Sequence, residues 1–514
     1  MIATNVRRLG LYLLLSFVAV SVGLAYWQIV EAPALAERPD NPEVIAARRS
    51  LPRGTIFDAG GQVLASTQVV DGLSHRTYAD AAFSHVIGYA SLRFGTTGLE
   101  GAFDDILSGR SDPNPIRQVL DDILARQAVP KDLTLTIDKR LQDFAAAQLG
   151  TDVGAIVALD PTTGAVLAMT SSPTFDPTPI SADPDTAGAA MEQITAQPNE
   201  PLVARARQGR YTPGSIMKAF TAAAALDAGV ITPETTFPDQ PEQEVNGFTV
   251  EGFRITEHDL GGIQPALWSL SQALQVSSNI FFAHVGLELG PERFLEYATR
   301  FGFCDPIAIG PAGHELRADA SYVTQAVDGE CAPFSDSVEL ASAAFGQAQV
   351  ATTPFQMAMV AAAVANGGQM PEPYVVRDVR AHVAEGGPSE TVLETYGSGG
   401  GRRVVSGEAA AATRSAMVDA VEDELGALFA GGGAVDLYGV SGVMTAGKTG
   451  TAERGEGQEP HSWFIGFAPG QEGATPQIAV AVLVEGGGSG SGRAAPIGGQ
   501  VMAEWLRLQA PGAG

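Results

Sequence analysis

Cationic side chains are scarce in this 514-residue sequence: 31 Lys and Arg stand against 58 Asp and Glu, a formal net charge of -27. A nucleic-acid partner needs clustered Lys and Arg to meet phosphate, so that class of partner is excluded and the acidity is read as general solubility. Metal ligands are missing as well. His258, His284 and His461 have no ligand spacing, so core or strand-end roles are expected for them, with no metal and no cofactor. No internal repeat is evident, and there are only two cysteines, Cys304 and Cys331. What is abundant is apolar residues, 45%, ample for large buried cores.

One long apolar run is present, from Leu9 to Val30, with Arg7 and Arg8 before it and Glu31, Glu37 and Asp40 after it. Its length suits a helix crossing a hydrocarbon layer of ~30 Å. The positive-inside rule then gives a cytoplasmic tail over 1–8, a transmembrane helix over 9–30 and an extracytoplasmic remainder, with Tyr26 and Trp27 at the outer interface. The alternative is a cleaved signal peptide ending near Ala34-Leu35-Ala36.

Beyond it, Arg53 to Ala65 reads as a hairpin turning at Ala59-Gly60-Gly61. Leu133 to Ile137 alternates like a strand and is taken to open a new unit, followed by a helix that Asp138 caps and that runs to Leu149. Ile156 to Leu159 and Ala165 to Met169 are strands joined by a turn at Pro161 to Gly164. Three further strands lie near the C-terminus, at 443–452, 463–468 and 478–484, and the stretch between 190 and 430 is mostly helical in pattern. Strands at both ends with helices between predict an α+β fold, one antiparallel sheet built from the chain's extremes. Ile497 to Leu508 closes it as a helix buried through Met502, Trp505 and Leu506, and the Gly-rich 381–401 is read as an exposed loop.

Three short motifs carry the chemistry. In Tyr211-Thr212-Pro213-Gly214-Ser215-Ile216-Met217-Lys218, Pro213 and Gly214 break structure and good helix formers follow, so Ser215 sits at a helix N-terminus. Positions three apart share a helix face, which brings the Lys218 amine to the Ser215 hydroxyl as a base beside a nucleophile. Ser277-Ser278-Asn279 follows a helical run, and Lys448-Thr449-Gly450-Thr451 lies in a strand-like segment. Each alone is an ordinary cap, turn or strand end. In the order S-x-x-K, S-x-N, K-T-G they match a signature of penicillin-binding proteins and class A β-lactamases.

Together with Gly346-Gln347, Thr353 to Ala358, Ala365-Asn366-Gly367-Gly368 and His461 to Pro469, these motifs make the chain resemble a class B penicillin-binding protein, a peptidoglycan D,D-transpeptidase, over nearly its whole length. Arg53-Gly54-Thr55-Ile56-Phe57-Asp58 and Gly98-Leu99-Glu100 resemble that family's N-terminal pedestal, here 31–130, leaving 131–514 as the transpeptidase domain with a five-stranded antiparallel sheet.

The resemblance implies acyl transfer between stem peptides through an acyl-Ser215 intermediate, with inhibition by β-lactam antibiotics. Lys218 is then the base, Ser277 a proton relay and Asn279 a hydrogen-bonding support for Lys218 and substrate. Lys448 lowers the Lys218 pKa and, with Thr449 and Thr451, binds the substrate carboxylate, while Gly450 lets substrate approach the strand. The oxyanion hole is the N–H pair of Ser215 and Thr451. The implied partner is a polytopic SEDS-type membrane glycosyltransferase. A D,D-carboxypeptidase and a non-catalytic scaffold of the wall-synthesis complex stand as alternatives. A serine β-lactamase or penicillin-sensing receptor would share the motifs without needing the pedestal. Outside the cytoplasm the two cysteines are expected to pair across a loop-like segment, the alternative being two separately buried thiols.

Overall fold

The computed structural model describes residues 2–27, 31, 52–70, 73–110, 129–258, 262–383, 386–397, 399–423, 443–455 and 457–510. Five strands form the central antiparallel sheet, in the order Ala446–Ala452, His461–Ala468, Ile478–Val484, Gly154–Leu159, Val166–Ser172. They pair in register over nearly their full length, Lys448 opposite Ile465 and Val480 opposite Ala158 among them. The two inner strands Ile478–Val484 and Gly154–Leu159 read as continuous apolar runs because both faces are covered. Ile156, Ala158, Val480 and Val482 face the closing helix Ala494–Gln509 and the helix Lys139–Leu149. Val157, Leu159, Ala481 and Leu483 face the larger helical core.

At the centre of that core runs Pro354–Ala365, apolar all round and buried at every residue. Thr353 starts it by accepting the Gln356 N–H on its side chain, and Pro354 occupies the first turn, where no N–H is required. Lys139–Leu149 begins on Asp138, whose carboxylate accepts from Arg140 N, as the sequence predicts.

The strand expected near 133 is present, with neighbours that the sequence did not reveal. It spans Lys131–Leu135 and joins a second, six-stranded sheet ordered Val392–Thr395, Val376–Ala381, Lys131–Leu135, Ile56–Phe57, Val63–Val70, Leu73–Tyr78. It runs parallel to Ile56–Phe57 and antiparallel to Val376–Ala381, so this sheet draws strands from both sides of residue 130. The 381–401 stretch is likewise not only loop. Val392–Thr395 within it forms an exposed edge strand against Val376–Ala381. Within the expected hairpin the turn falls at Ala59-Gly60-Gly61, where Gly61 has φ +86° and Asp58 accepts the Gln62 N–H at 2.7 Å. Glu100 is wholly buried and ion-paired to both Arg53 and Arg76.

The N-terminal helix is Ile2–Ala25, within which 6–25 is long and apolar enough to cross a membrane. It therefore begins before Leu9 and contains Arg7 and Arg8; residues 28–30 and Ala34-Leu35-Ala36 lie outside the described residues.

Cys304 and Cys331 are bridged, with their Cα atoms 5.3 Å apart. The segment between them carries short hairpins, Ile307–Ile309 with Leu316–Ala318 and Ala326–Val327 with Glu330–Cys331, more order than the loop expected. Just before Cys304, Phe301 and Phe303 pack their rings on Phe220, in the helix that follows Ser215. Closing a 27-residue separation restricts the unfolded chain by about 3 kcal/mol. Thiol counting on the denatured, unreduced protein is expected to give none, and reduction to lower the melting temperature. Two free thiols before reduction would contradict the bridge.

Candidate active site

Pro213 ends the extended approach, Gly214 to Ile216 make one tight turn, and the helix Met217–Asp227 follows at once. This lays Lys218 one turn above Ser215. The Lys218 amine donates to Ser277 O at 2.5 Å and to Asn279 Oδ1 at 2.9 Å, and lies 3.0 Å from Ser215 Oγ and 3.2 Å from Ser277 Oγ. Lys448 reaches the same place from the sheet, donating to Ser277 Oγ and Thr449 O, both at 2.9 Å. Five of the residues expected from sequence, from three distant segments, thus meet around two amines. Lysine is otherwise rare, four in 514 residues, and two of the four are these.

Ser277 holds both amines at once. Its φ of +59° is left-handed, and its carbonyl and hydroxyl oxygens both lie within hydrogen-bond distance of Lys218. With both hydroxyl lone pairs facing the lysines, its own proton is left free to donate elsewhere.

Burial sets the electrostatics. Lys218 is fully buried, which pushes its ammonium down to about 7, while the carboxylate of Glu257 pulls the other way. Burial, and not the helix terminus and Lys448 expected from sequence, is the chief cause. The Lys448 ammonium is held well below the usual lysine range, first by burial and then by repulsion from Lys218. An amine poised near neutrality against a hydroxyl can take the hydroxyl's proton.

Glu257 was not legible in the sequence. Its buried carboxylate accepts from Ser278 Oγ at 2.8 Å, Asn279 N at 2.8 Å and Ile280 N at 3.2 Å, capping the helix Asn279–Leu289 and fixing Asn279. Nothing local marks it; only the tertiary fold brings Glu257 to that helix start. A second brace holds the approach to Ser215. Tyr211 donates to Glu485, which is also paired with Arg205, and Trp463 Nε1 donates to Thr212 O at 3.0 Å.

The K-T-G strand is the edge of the central sheet, so one row of its backbone groups is left to face the cleft. Lys448 and Gly450 share a strand face by alternation, and Thr449 and Thr451 share the other. Thr451 Oγ1 accepts from Gly490 N at 3.2 Å. Gly450 also has a reason within the protein itself. A Cβ there would lie 2.8 Å from Pro213 O and 3.0 Å from Ile216 Cγ2, so the residue makes room for the chain's own serine turn. Gly214, at φ +58°, is equally close to Thr451 O, which places the Ser215 and Thr451 segments side by side. A cavity of about 670 Å3 opens beside Asn279, bordered by Phe253, Ser335, Gln347 and Glu453. No cluster of His, Cys, Asp and Glu able to hold a metal occurs among the described residues. His284 is stacked between Phe237 and Phe248, and His461 starts a strand against Tyr211.

With only four lysines, selective isotope labelling resolves Lys218 by NMR. Its apparent pKa is expected near 7, and Glu257→Gln should lower it by about half a unit to one unit, the size of one partly shielded charge. A Lys218 that titrates like a free lysine would contradict the burial argument.

Known proteins resemble this chain in sequence and fold. The family model for the penicillin-binding protein transpeptidase domain matches residues 154–503, and that for the penicillin-binding protein A dimerisation domain matches 53–131. The peptidoglycan D,D-transpeptidase PbpA of Mycolicibacterium smegmatis is 34% identical over 527 residues, covering 98% of this chain and 99% of the relative. That of Mycobacterium tuberculosis is 33% identical over 519 residues, covering 96% and 97%. A solved structure of M. tuberculosis penicillin-binding protein A, a ceftriaxone acyl-enzyme complex, superposes with a TM-score of 0.74 at 33% identity, covering 88% of this chain and 98% of that one. Both domain models and relatives aligned almost end to end lead to one assignment: this chain belongs to the class B penicillin-binding proteins.

Proposed function

We propose that the chain is a peptidoglycan D,D-transpeptidase that works through an acyl-Ser215 intermediate and is inhibited by β-lactams. The observation that carries this reading is the buried Lys218 amine, held between Ser215 Oγ, Ser277 and Asn279. In the first step Ser215 Oγ attacks the carbonyl of the penultimate D-alanine of a stem peptide, and its proton passes to Lys218. The N–H groups of Ser215 and Thr451 take the oxyanion, worth about 3–4 kcal/mol per donor. Ser277 gives its proton to the leaving amine as the C–N bond breaks, releasing D-alanine, and takes in its place the proton held on Lys218. An amine of a second stem peptide then attacks the ester, and Ser215 regains its proton as the crosslink forms. Asn279 holds Lys218 in place, and Lys448, Thr449 and Thr451 hold the substrate's terminal carboxylate.

Residues 131–514 are assigned to this reaction and 31–130 to the pedestal, with one sheet spanning the boundary. The N-terminal helix is assigned as a single-pass anchor over about 9–30, with the tail cytoplasmic and the bulk extracytoplasmic. The assigned partner is a polytopic SEDS-type glycosyltransferase that supplies glycan strands. Membrane-extracted protein is then expected to keep its N-terminus, and sequencing that started near Glu37 would reject the anchor.

Intact-mass spectrometry should show one penicillin adduct, absent in Ser215→Ala. Acylation should rise with pH to a plateau with a midpoint near 7, because Lys218 accepts a proton only when neutral. Lys448→Ala should slow acylation by about 10²-fold, the scale of losing one electrostatic contact to the reacting group, with the melting temperature kept. A bivalent peptidoglycan substrate should yield crosslinked product. Release of D-alanine with no crosslink would favour a carboxypeptidase, and no adduct at all a scaffold.

A further inference from the structure

Far from the catalytic cleft, at the N-terminal sheet, lies a cavity of about 190 Å3 walled by Arg53, Ser74, Arg76, Ser91, Arg110 and Ser181. Two of its donors have no acceptor among the described residues: Arg76 Nη2 and Ser74 Oγ are buried and bond to none of them. Standing two apart on the strand Leu73–Tyr78, they point from the same face. The other Arg76 nitrogens are committed, Nε to Glu100 Oε1 at 2.6 Å and Nη1 to Gly54 O at 2.8 Å and Thr67 Oγ1 at 3.2 Å. Arg76 is only 4% exposed. A buried donor on a permanent cation is costly when unmet.

The charges on the wall do not cancel. Three guanidinium groups, Arg53, Arg76 and Arg110, share two carboxylates: Glu100 pairs with Arg53 and Arg76, and Asp104 with Arg53 and Arg110. One positive charge is left over, in a chain whose net charge is -27. Ser181 brings a second element to the wall, the helix Thr178–Ala182, which bonds to the same strand through Thr178 Oγ1 and Tyr78 N at 3.4 Å.

We propose that this cavity binds a small oxyanion of the phosphate class, held by Arg76 Nη2, Ser74 Oγ and the Arg110 guanidinium. Several donors on separate walls suit an ion with oxygens on several sides. The volume admits a phosphate with a few waters and excludes an acyl chain. The ion is either free phosphate or the phosphate of an anionic lipid headgroup.

The test titrates the full-length protein with inorganic phosphate by calorimetry at constant ionic strength, in nanodiscs of phosphatidylcholine alone or mixed with phosphatidylglycerol. One saturable site is expected in phosphatidylcholine. Ser74→Ala and Arg110→Gln should each weaken it by about tenfold. The Ser74 hydroxyl has no bond to lose and Arg110 is exposed, so neither change should unfold the chain, and labelling of Ser215 by fluorescent penicillin checks this. Equal phosphate binding in both nanodiscs identifies the free ion as the ligand. Suppression by phosphatidylglycerol identifies the headgroup. Absence of a saturable site in phosphatidylcholine, or an affinity unchanged in both variants, overturns the proposal.

Discussion

Everything near the cleft depends on keeping one amine, that of Lys218, out of water yet fully bonded. A lysine buried alone would cost several kcal/mol as an ion. The fold lowers that cost by letting the group be neutral near pH 7 and by surrounding it with oxygens from three segments. A neutral amine has two N–H donors and one lone pair. Ser277 O and Asn279 Oδ1 satisfy the donors, and the lone pair is left for the Ser215 proton. Remove the burial and the amine stays charged; remove the oxygens and the burial is unaffordable. Glu257 fits the same logic from a distance, since it anchors Asn279 and tempers how far the lysine falls.

Close approach of backbones is the second requirement. Gly214, Gly346 and Gly450 let the serine turn, the segment after the Ser337–Ala343 helix and the edge strand touch without side chains between them. A Cβ at Gly346 would stand 2.0 Å from Gly214 O, and Gly214 N donates to Gly346 O at 3.0 Å. These glycines therefore fix the geometry of the protein itself, and the substrate finds a cleft already set.

Much of this was legible in the sequence because the motifs are local and the central strands are long. Ser215 to Lys218 needs only helical spacing, and His461–Ala468 and Ile478–Val484 are runs no solvent-facing segment would carry. The Lys131–Leu135 strand was legible but its sheet was not, because alternation reveals a strand and not its neighbours. Its partners come from Ile56–Phe57 and Val376–Ala381, pairings set by distant chain. Val392–Thr395 was hidden by the glycines beside it, and Glu257 and Glu485 by being single carboxylates in an acidic chain. Burial as the cause of the low Lys218 pKa was out of reach for the same reason: it is a property of the packed core and not of spacing.

The central sheet is stitched from the two ends of the domain, Gly154–Leu159 and Val166–Ser172 against three strands that begin only at Ala446. Contacts of such long sequence separation form late, since a large loop must close before they repay its entropy. During synthesis the nucleophile emerges more than 200 residues ahead of Lys448 and the edge strand. An unfinished chain thus carries Ser215 without the sheet that aligns it, and reactivity arrives only with the last strands. The order of the segments along the polypeptide therefore sets an order of assembly: Ser215 and Lys448 can meet only after the last strands have been made and have joined the sheet.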